Sequence, residues 1–447
     1  MEGGLKAPTR HPHRFNEPDY LDEEKLDAEL RRVFDICHGC RRCFNLCDSF
    51  PRLFELIDGS ESGELDTVSS DGFGLVMDSC TLCDMCFMVR CPYVPPHELD
   101  VDFPHLVLRY RAGQRAKGAV SWADRQLART DRNGKLATSI AWLTNWSSKT
   151  TNWFTRPILE MFVGVDQNAS LPKYSSRTLI QRAGREVPEI NRTAPSFGRK
   201  VALFATCFAD YNNPSIGLAA RDVLARNGVD CTIVYPECCG MPQLEQGDFE
   251  AVAEKARTVS AALVAWINDG YDIVALVPSC ALMLKFEWAL ILPNDANVRK
   301  LSTHTFDISE YIVGLSQKEG LADGLSSLSG GVTVHLACHA RAQNIGPKAV
   351  EMLRLIPDVD LTIIERCSGH GGAWGVKKGH FDTALKVGRP AARAAIKAGS
   401  AFVASECPLA GEHLRQGMER LANGPVMIEQ VTHPIQLLAH AYGLGVG

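Results

Sequence analysis

The sequence predicts an α+β multidomain chain. A helical, cysteine-rich N-terminal domain (residues 1–108) is followed by a basic helical segment (109–195) and two tandem α/β units (196–325 and 326–447). Three observations carry this prediction. At 447 residues the chain exceeds the ~250–300 at which single cores stop growing, so several domains are required. Sixteen cysteines fall in spaced runs rather than singly. One of their patterns recurs in the C-terminal half.

Composition narrows the class. Hydrophobic residues make up 45% and charged residues 22%, an ordinary globular balance. A net charge of −5 argues against a basic nucleic-acid binder. The longest uncharged, apolar-leaning stretch, Ala137 to Ser148, is far short of the ~20 residues a bilayer span needs. The opening MEGGLKAPTRHPHRF has no apolar core of a secretory signal, so a cytoplasmic location is expected. There, cysteines serve as metal or cofactor ligands more readily than as disulfides.

The N-terminal domain holds two cysteine runs. CHGCRRCFNLC places Cys37, Cys40, Cys43 and Cys47 in C-x2-C-x2-C-x3-C; CTLCDMCFMVRCP places Cys80, Cys83, Cys86 and Cys91. Thiolates three residues apart wrap one corner of a cubane, and the fourth cysteine of each run reaches the other cluster in two-cluster ferredoxins. This reading assigns Cys37, Cys40, Cys43 and Cys91 to one [4Fe–4S] cluster, and Cys80, Cys83, Cys86 and Cys47 to a second. Zinc sites would use paired knuckles rather than triplets. Two departures stand out: four residues separate Cys86 from Cys91, and Asp48 follows Cys47 where proline is usual. LDEEKLDAELRRVFDIC ahead of the first run reads as an amphipathic helix, which makes the domain a helical two-cluster ferredoxin.

The middle segment is set apart by charge. From Arg109 to Lys200 seventeen Lys/Arg face six Asp/Glu, net +11, and four of the seven tryptophans (Trp122, Trp142, Trp146, Trp153) fall here. A continuous helix would put Trp142, Trp146 and Trp153 on one face, although SSKTT and Pro157 favour a break. Basic charge with interfacial aromatics suits a peripheral membrane contact or an acidic partner. The plain alternative is a linker domain with a tryptophan-rich core.

In the C-terminal half, KVALFATC, YPECCG and VALVPSC place Cys207, Cys238, Cys239 and Cys280, and GVTVHLAC, IERCSG and AFVASECP place Cys338, Cys367 and Cys407. An apolar strand-like run precedes each landmark, with an Ala/Val-rich helical stretch between the second and third. Each copy therefore reads as a β-α-β-α unit with a short parallel sheet, its cysteines at the strand ends where ligands sit in open α/β sheets. Cys231, inside VDCTIVYP, reads as a small buried hydrophobe.

These motifs, TCF…ECCGMPQLEQGD…VPSCALM and HLACHAR…CSGHGGAWG…CP, resemble the iron–sulfur subunits of anaerobic glycerol-3-phosphate dehydrogenases. More broadly they are similar to the "CCG" cysteine-rich domains of heterodisulfide reductase and of the glycolate oxidase iron–sulfur subunit. The resemblance implies that each CCG unit ligates a cluster. Repeat one would do so through Cys207, Cys238, Cys239 and Cys280, with Met283 in place of a last cysteine. Repeat two offers Cys338, Cys367 and Cys407, with Ser368 and Ala410 at the lost positions and His335, His339 and His370 as substitute ligands. No G-x-G-x-x-G opens a helix after a strand and no Walker loop or G-x-S-x-G elbow is present, so no flavin or NAD site is expected in this chain. The resemblance then implies an iron–sulfur electron-transfer subunit. It would pass electrons from a flavin-containing dehydrogenase subunit (glycerol-3-phosphate or hydroxy-acid type) toward a quinone, at the inner face of the cytoplasmic membrane and without nucleic acid. A catalytic disulfide-reducing subunit and a non-catalytic iron–sulfur scaffold are the alternatives.

Overall fold

The computed structural model describes residues 8–185, 187–422 and 431–445. The N-terminal unit is helical: Glu23–Cys40, Ser49–Asp58, Phe73–Asp78 and Phe103–Ala116 surround a core of Phe34, Phe50, Phe54, Phe73 and Phe103. The first helix starts on Asp22, whose side chain accepts from the Lys25 N–H, with Glu23 and Glu24 in the first turn, a favourable pairing of acids with the positive helix end. It buries Leu26, Leu30, Val33 and Phe34 at the expected helical spacing and stops at Arg41 with φ 52°, where the first cysteine run turns. The last helix runs through residues 108 and 109, so it joins this unit to the middle segment without interruption.

Each repeat is a parallel sheet. Strands β1 (Lys200–Phe204), β2 (Asp230–Val234), β3 (Asp272–Ala275) and β4 (Thr305–Asp307) stand in the order β2-β1-β3-β4; β5 (Val332–His335), β6 (Leu361–Ile364) and β7 (Phe402–Ser405) stand as β6-β5-β7. The second sheet repeats the first three strands of the first, with Val201 opposite both Cys231 and Asp272, and Val332 opposite both Leu361 and Phe402. Chain order reverses direction beside β1 and beside β5, which makes their carboxyl ends the switch points where open α/β sheets bind ligands. The long helices Phe249–Asn268 and Phe381–Ala398 fall on the two Ala/Val-rich stretches.

The middle segment breaks into short helices: Trp122–Leu127, Thr130–Ser139, Ala141–Ser147 and Thr155–Val163. The helix that would align three tryptophans ends at Ser147. Nor do they form a core: Trp142 is 76% and Trp153 85% exposed, and Trp122 and Trp146 also face outward, which overturns the tryptophan-core alternative. What orders the segment is polar. Buried Arg156 donates to the carbonyls of Ser148, Asp166, Gln167 and Ala169, while Gln243 and Gln246 of the first repeat donate to Ala128 and Asp124. Ser170 donates to Glu412 of the second repeat. The segment thus bridges both repeats.

Candidate functional site

The cysteines gather as two N-terminal groups and two repeat groups, and none of the sixteen is in a disulfide. Cys37 is held far above the usual thiol range by burial and by Cys91, Cys43 and Cys40. Cys43 is pushed up to about 12 by burial, then by Cys91 and Cys40. Cys37, Cys40, Cys43 and Cys91 also line one small pocket beside Tyr93. The second group is Cys47, Cys80, Cys83 and Cys86: burial and the charges of Cys80 and Cys83 raise Cys47, and Cys86 is raised by burial, Cys83 and Cys80, with Cys43 and Cys47 adding to them. The two groups therefore adjoin through Cys43 and Cys86.

Local backbone explains the gathering. Leu82 and Asp84 take left-handed φ values of 50° and 62°, unusual for residues with side chains, and they coil the loop that carries Cys80, Cys83 and Cys86. The extra residue before Cys91 is absorbed by a π-type turn over Cys86–Arg90, in which the Cys91 N–H reaches the Cys86 carbonyl at 2.8 Å. A π-bulge accommodates one residue more than an α-turn, so Cys91 keeps its place beside the first run. Asp48, in the usual proline position, pairs with Arg52 at 2.5 Å on the helix it precedes.

In each repeat the strand ends deliver the cysteines. Cys207 lies three residues beyond β1, Cys338 three beyond β5, Cys367 three beyond β6, and Cys407 two beyond β7. Short helices begin at or next to them: Cys207–Tyr211, Pro278–Leu282, Cys338–Ala342 and the longer Pro408–Ala422. Backbone N–H groups donate to sulfur in both units: Gly369 to Cys367 at 3.3 Å and Leu82 to Cys80 at 3.5 Å. Thr206, at φ 63°, turns the chain sharply before Cys207. In repeat one the Cys207 and Cys238 sulfurs are 3.9 Å apart and those of Cys239 and Cys280 3.3 Å. The Cys238 N–H donates to Asp131 of the middle segment at 2.8 Å, and the fully buried Trp288 donates its indole N–H to the Cys239 carbonyl at 3.1 Å. Met283 is wholly buried among apolar neighbours.

In repeat two, Cys338 is raised by burial, then by Cys83, Cys367 and Cys407. Burial takes Cys83 to about 12, with Cys367 the first charge to add to it, so an N-terminal sulfur lies near the cysteines of repeat two. Burial takes Cys407 to about 11, with Cys280 of the other repeat the first charge facing it. The Ser368 carbonyl sits where a Cβ on Gly388 would lie 2.1 Å away, and a Cβ on Gly369 (φ 82°) would strike the Ala384 carbonyl at 1.9 Å. Only glycine allows this loop to press against the helix Phe381–Ala398. Of the three histidine candidates, His335 has both ring nitrogens engaged, with Ser405 Oγ and the Arg366 carbonyl, each at 3.0 Å, and is a packed core residue. His339 reaches the Leu82 carbonyl at 3.1 Å, linking repeat two to the loop of Cys83. His370 lines the cavity, and burial pushes its ring down to about 3, an unprotonated imidazole.

One cavity of about 1280 Å³ joins these groups. Cys47, Cys80 and Cys83, the four cysteines of repeat one and the three of repeat two all line it. The middle segment adds Leu127, Leu159, Val163 and Leu171 to its wall. Burial disfavours a thiolate, and each thiolate disfavours the next. Bound metal cations reverse both effects and deprotonate coordinating thiols, so the donor set fits clustered metal. Residue spacing carried no signal of the approach of Cys83 to repeat two or of Asp131 to Cys238. Cys231 sits half-buried on the edge strand β2 and does not line the cavity.

Comparison with known proteins agrees with this geometry. The cysteine-rich domain CCG matches residues 201–285 and again 332–415. One subunit of the anaerobic glycerol-3-phosphate dehydrogenase of Escherichia coli K12 is 27% identical over 322 residues, 70% of this chain and 76% of that one. One subunit of the fumarate reductase (CoM/CoB) of Methanothermobacter marburgensis is 26% identical over 282 residues, 60% of this chain and 52% of its own length. Lactate utilization protein A of Bacillus cytotoxicus is 30% identical over 190 residues, which cover 40% of this chain and 75% of that protein. Two matched domains on two like sheets, and three quarters of a relative at that identity, lead to one conclusion: the chain belongs to the family of cysteine-rich CCG-domain proteins.

Proposed function

We propose that the chain is an iron–sulfur electron-transfer subunit that takes electrons from a flavin-containing dehydrogenase, of the glycerol-3-phosphate or hydroxy-acid type, and passes them toward a quinone or other acceptor. The observation that carries this reading is the meeting of an N-terminal cysteine group with both repeat groups in one cavity. The named relatives, subunits of a dehydrogenase and of a reductase, support a dehydrogenase partner. Cys37, Cys40, Cys43 and Cys91 would hold one [4Fe–4S] cluster and Cys47, Cys80, Cys83 and Cys86 the second. Cys207, Cys238, Cys239 and Cys280 would hold another, and Cys338, Cys367 and Cys407 mark a further position. Clusters bound there supply one-electron carriers whose potentials follow hydrogen bonds to sulfur and burial. The chain's own part is to hold the thiols and aim N–H groups at them. The packed Met283 and Ala410 speak against a disulfide-reducing reading that needs further thiolates.

Iron and acid-labile sulfide on anaerobically purified protein test the proposal. At least about eight irons per chain are expected for the N-terminal groups, and about twelve with repeat one filled, together with reversible reduction. Zinc in place of iron would sink it.

The middle segment is the proposed seat of contact with an anionic membrane surface. Trp142, Trp153, Phe154, Met161 and Phe162 are exposed, and Arg125, Arg129, Arg132, Lys135 and Lys149 face solvent on the same segment. No helix among the described residues is long and apolar enough to cross a bilayer, so the contact would lie in the interface. Other residues of this segment, Leu127, Leu159 and Val163, wall the cysteine cavity, so a lipid-soluble quinone bound there would lie near the bilayer. Binding to vesicles containing anionic lipid is expected to fall ~10-fold in Trp142→Ser/Trp153→Ser, and to weaken with salt. Equal binding by the variant and the unaltered protein removes the assignment.

A further inference from the structure

Beside the second cysteine run, an N-terminal arm crosses from the helical unit to the first repeat. Its Thr9 N–H reaches the Pro95 carbonyl and its His13 N–H the Leu290 carbonyl. Along it Arg10 lies over the Phe87 ring and pairs with Asp84 at 2.8 Å, Asp102 at 2.8 Å and Glu287 at 3.3 Å. One cation thus answers three carboxylates in a buried place. Next to it, His13 stacks on His105 with ring centroids 3.9 Å apart.

One nitrogen of each ring is oriented. His13 Nδ1 meets the Tyr20 hydroxyl at 3.2 Å, and His105 Nδ1 lies 3.4 Å from an Asp102 carboxylate oxygen. The other nitrogens are not satisfied: both Nε2 atoms are buried without a hydrogen-bond partner. Burial keeps both rings well below their usual range and therefore uncharged. Two ring nitrogens held out of water without a partner are costly. A Glu287 carboxylate oxygen completes the group, with one ligand atom from each residue within 4.8 Å of the others.

We infer that His13, His105 and Glu287 form a binding site for a divalent transition-metal ion of the zinc class. Two imidazoles and a carboxylate are a zinc donor set. A carboxylate behind a ligating histidine, here Asp102 behind His105, is the recurrent outer partner of such rings. A dication also supplies the charge that Arg10 alone does not. None of the three residues lines the cysteine cavity and none is a thiol, so the site stands whether or not the cysteines carry iron. Its ligands come from the arm, from the helix Phe103–Ala116 and from the turn Met283–Glu287, so a bound ion clasps the helical unit to the first repeat.

The full chain, prepared anaerobically with zinc supplied and then desalted, is expected to keep one zinc that His105→Gln and Glu287→Gln lose, while iron and sulfide stay unchanged. A thermal midpoint several degrees higher with zinc is expected in the unaltered protein alone. Should the variants not fold, cobalt(II) added to the unaltered protein decides the matter. Ligand-field bands without a thiolate charge-transfer band support the site, and a thiolate band alone overturns it. Zinc content equal in the unaltered protein and both variants overturns it as well.

Discussion

Serine in place of Cys83 is expected to cut electron delivery from the N-terminal groups to the cavity by at least ~100-fold and to lower bound iron by about four per chain. Cys83 belongs to the group with Cys47, Cys80 and Cys86 and also faces Cys367 and Cys338 of the second repeat. It is thus a sulfur at which the helical unit adjoins the second repeat, on the wall of the shared cavity. Stopped-flow reduction together with an iron count reads the effect. Cys231→Ser is the matched control, since that thiol lies off the cavity, and it should leave both quantities unchanged. Undiminished transfer in the Cys83 variant would place the path elsewhere.

Trp288→Ala is expected to be the most destabilising single change, about 3–5 kcal/mol from loss of a fully buried indole. Its removal also orphans the Cys239 carbonyl that the indole N–H holds, a loss of about 1–3 kcal/mol more where no water enters. Trp288→Phe keeps most of the packing and drops only the hydrogen bond, so it should recover most of the loss. Thermal unfolding with simultaneous iron release separates the two terms. A lowered midpoint with iron retained to the transition would mean that Trp288 supports the core but not the Cys238–Cys239 turn.

Much of this architecture was legible in the residues. The doubled spacing of Cys207/Cys238/Cys280 and Cys338/Cys367/Cys407 implied two like sheets with thiols at their strand ends, because period and landmark order survive translation along a chain. The two C-x2-C-x2-C runs implied groups that exchange their fourth members, and Cys91 does stand beside Cys37 and Cys43. What spacing could not express was contact between units. Nothing local to Cys83 points to Cys367, nothing local to Asp131 points to the Cys238 N–H, and His13, His105 and Glu287 lie 92 and 182 positions apart in turn. The extra residue before Cys91 departs from the usual spacing, and only the structure shows the wider turn that absorbs it. The tryptophans of the middle segment were ambiguous for another reason. Aromatic side chains suit a core and an interface equally, and only the burial of Arg156 in their stead shows what holds that segment together.

The pairing of distant cysteines has a consequence for how the protein is made. Translation yields the first run long before Cys91, and the thiols of Cys207 to Cys280 well before Cys407 closes the far side of the cavity. A nascent chain therefore completes its N-terminal thiol sets at Cys91 and the first-repeat set at Cys280 while the cavity that will enclose them is still open. Maturation of the cavity must wait for the last strand, β7, to dock, and the cell has to keep more than a dozen thiols reduced until then.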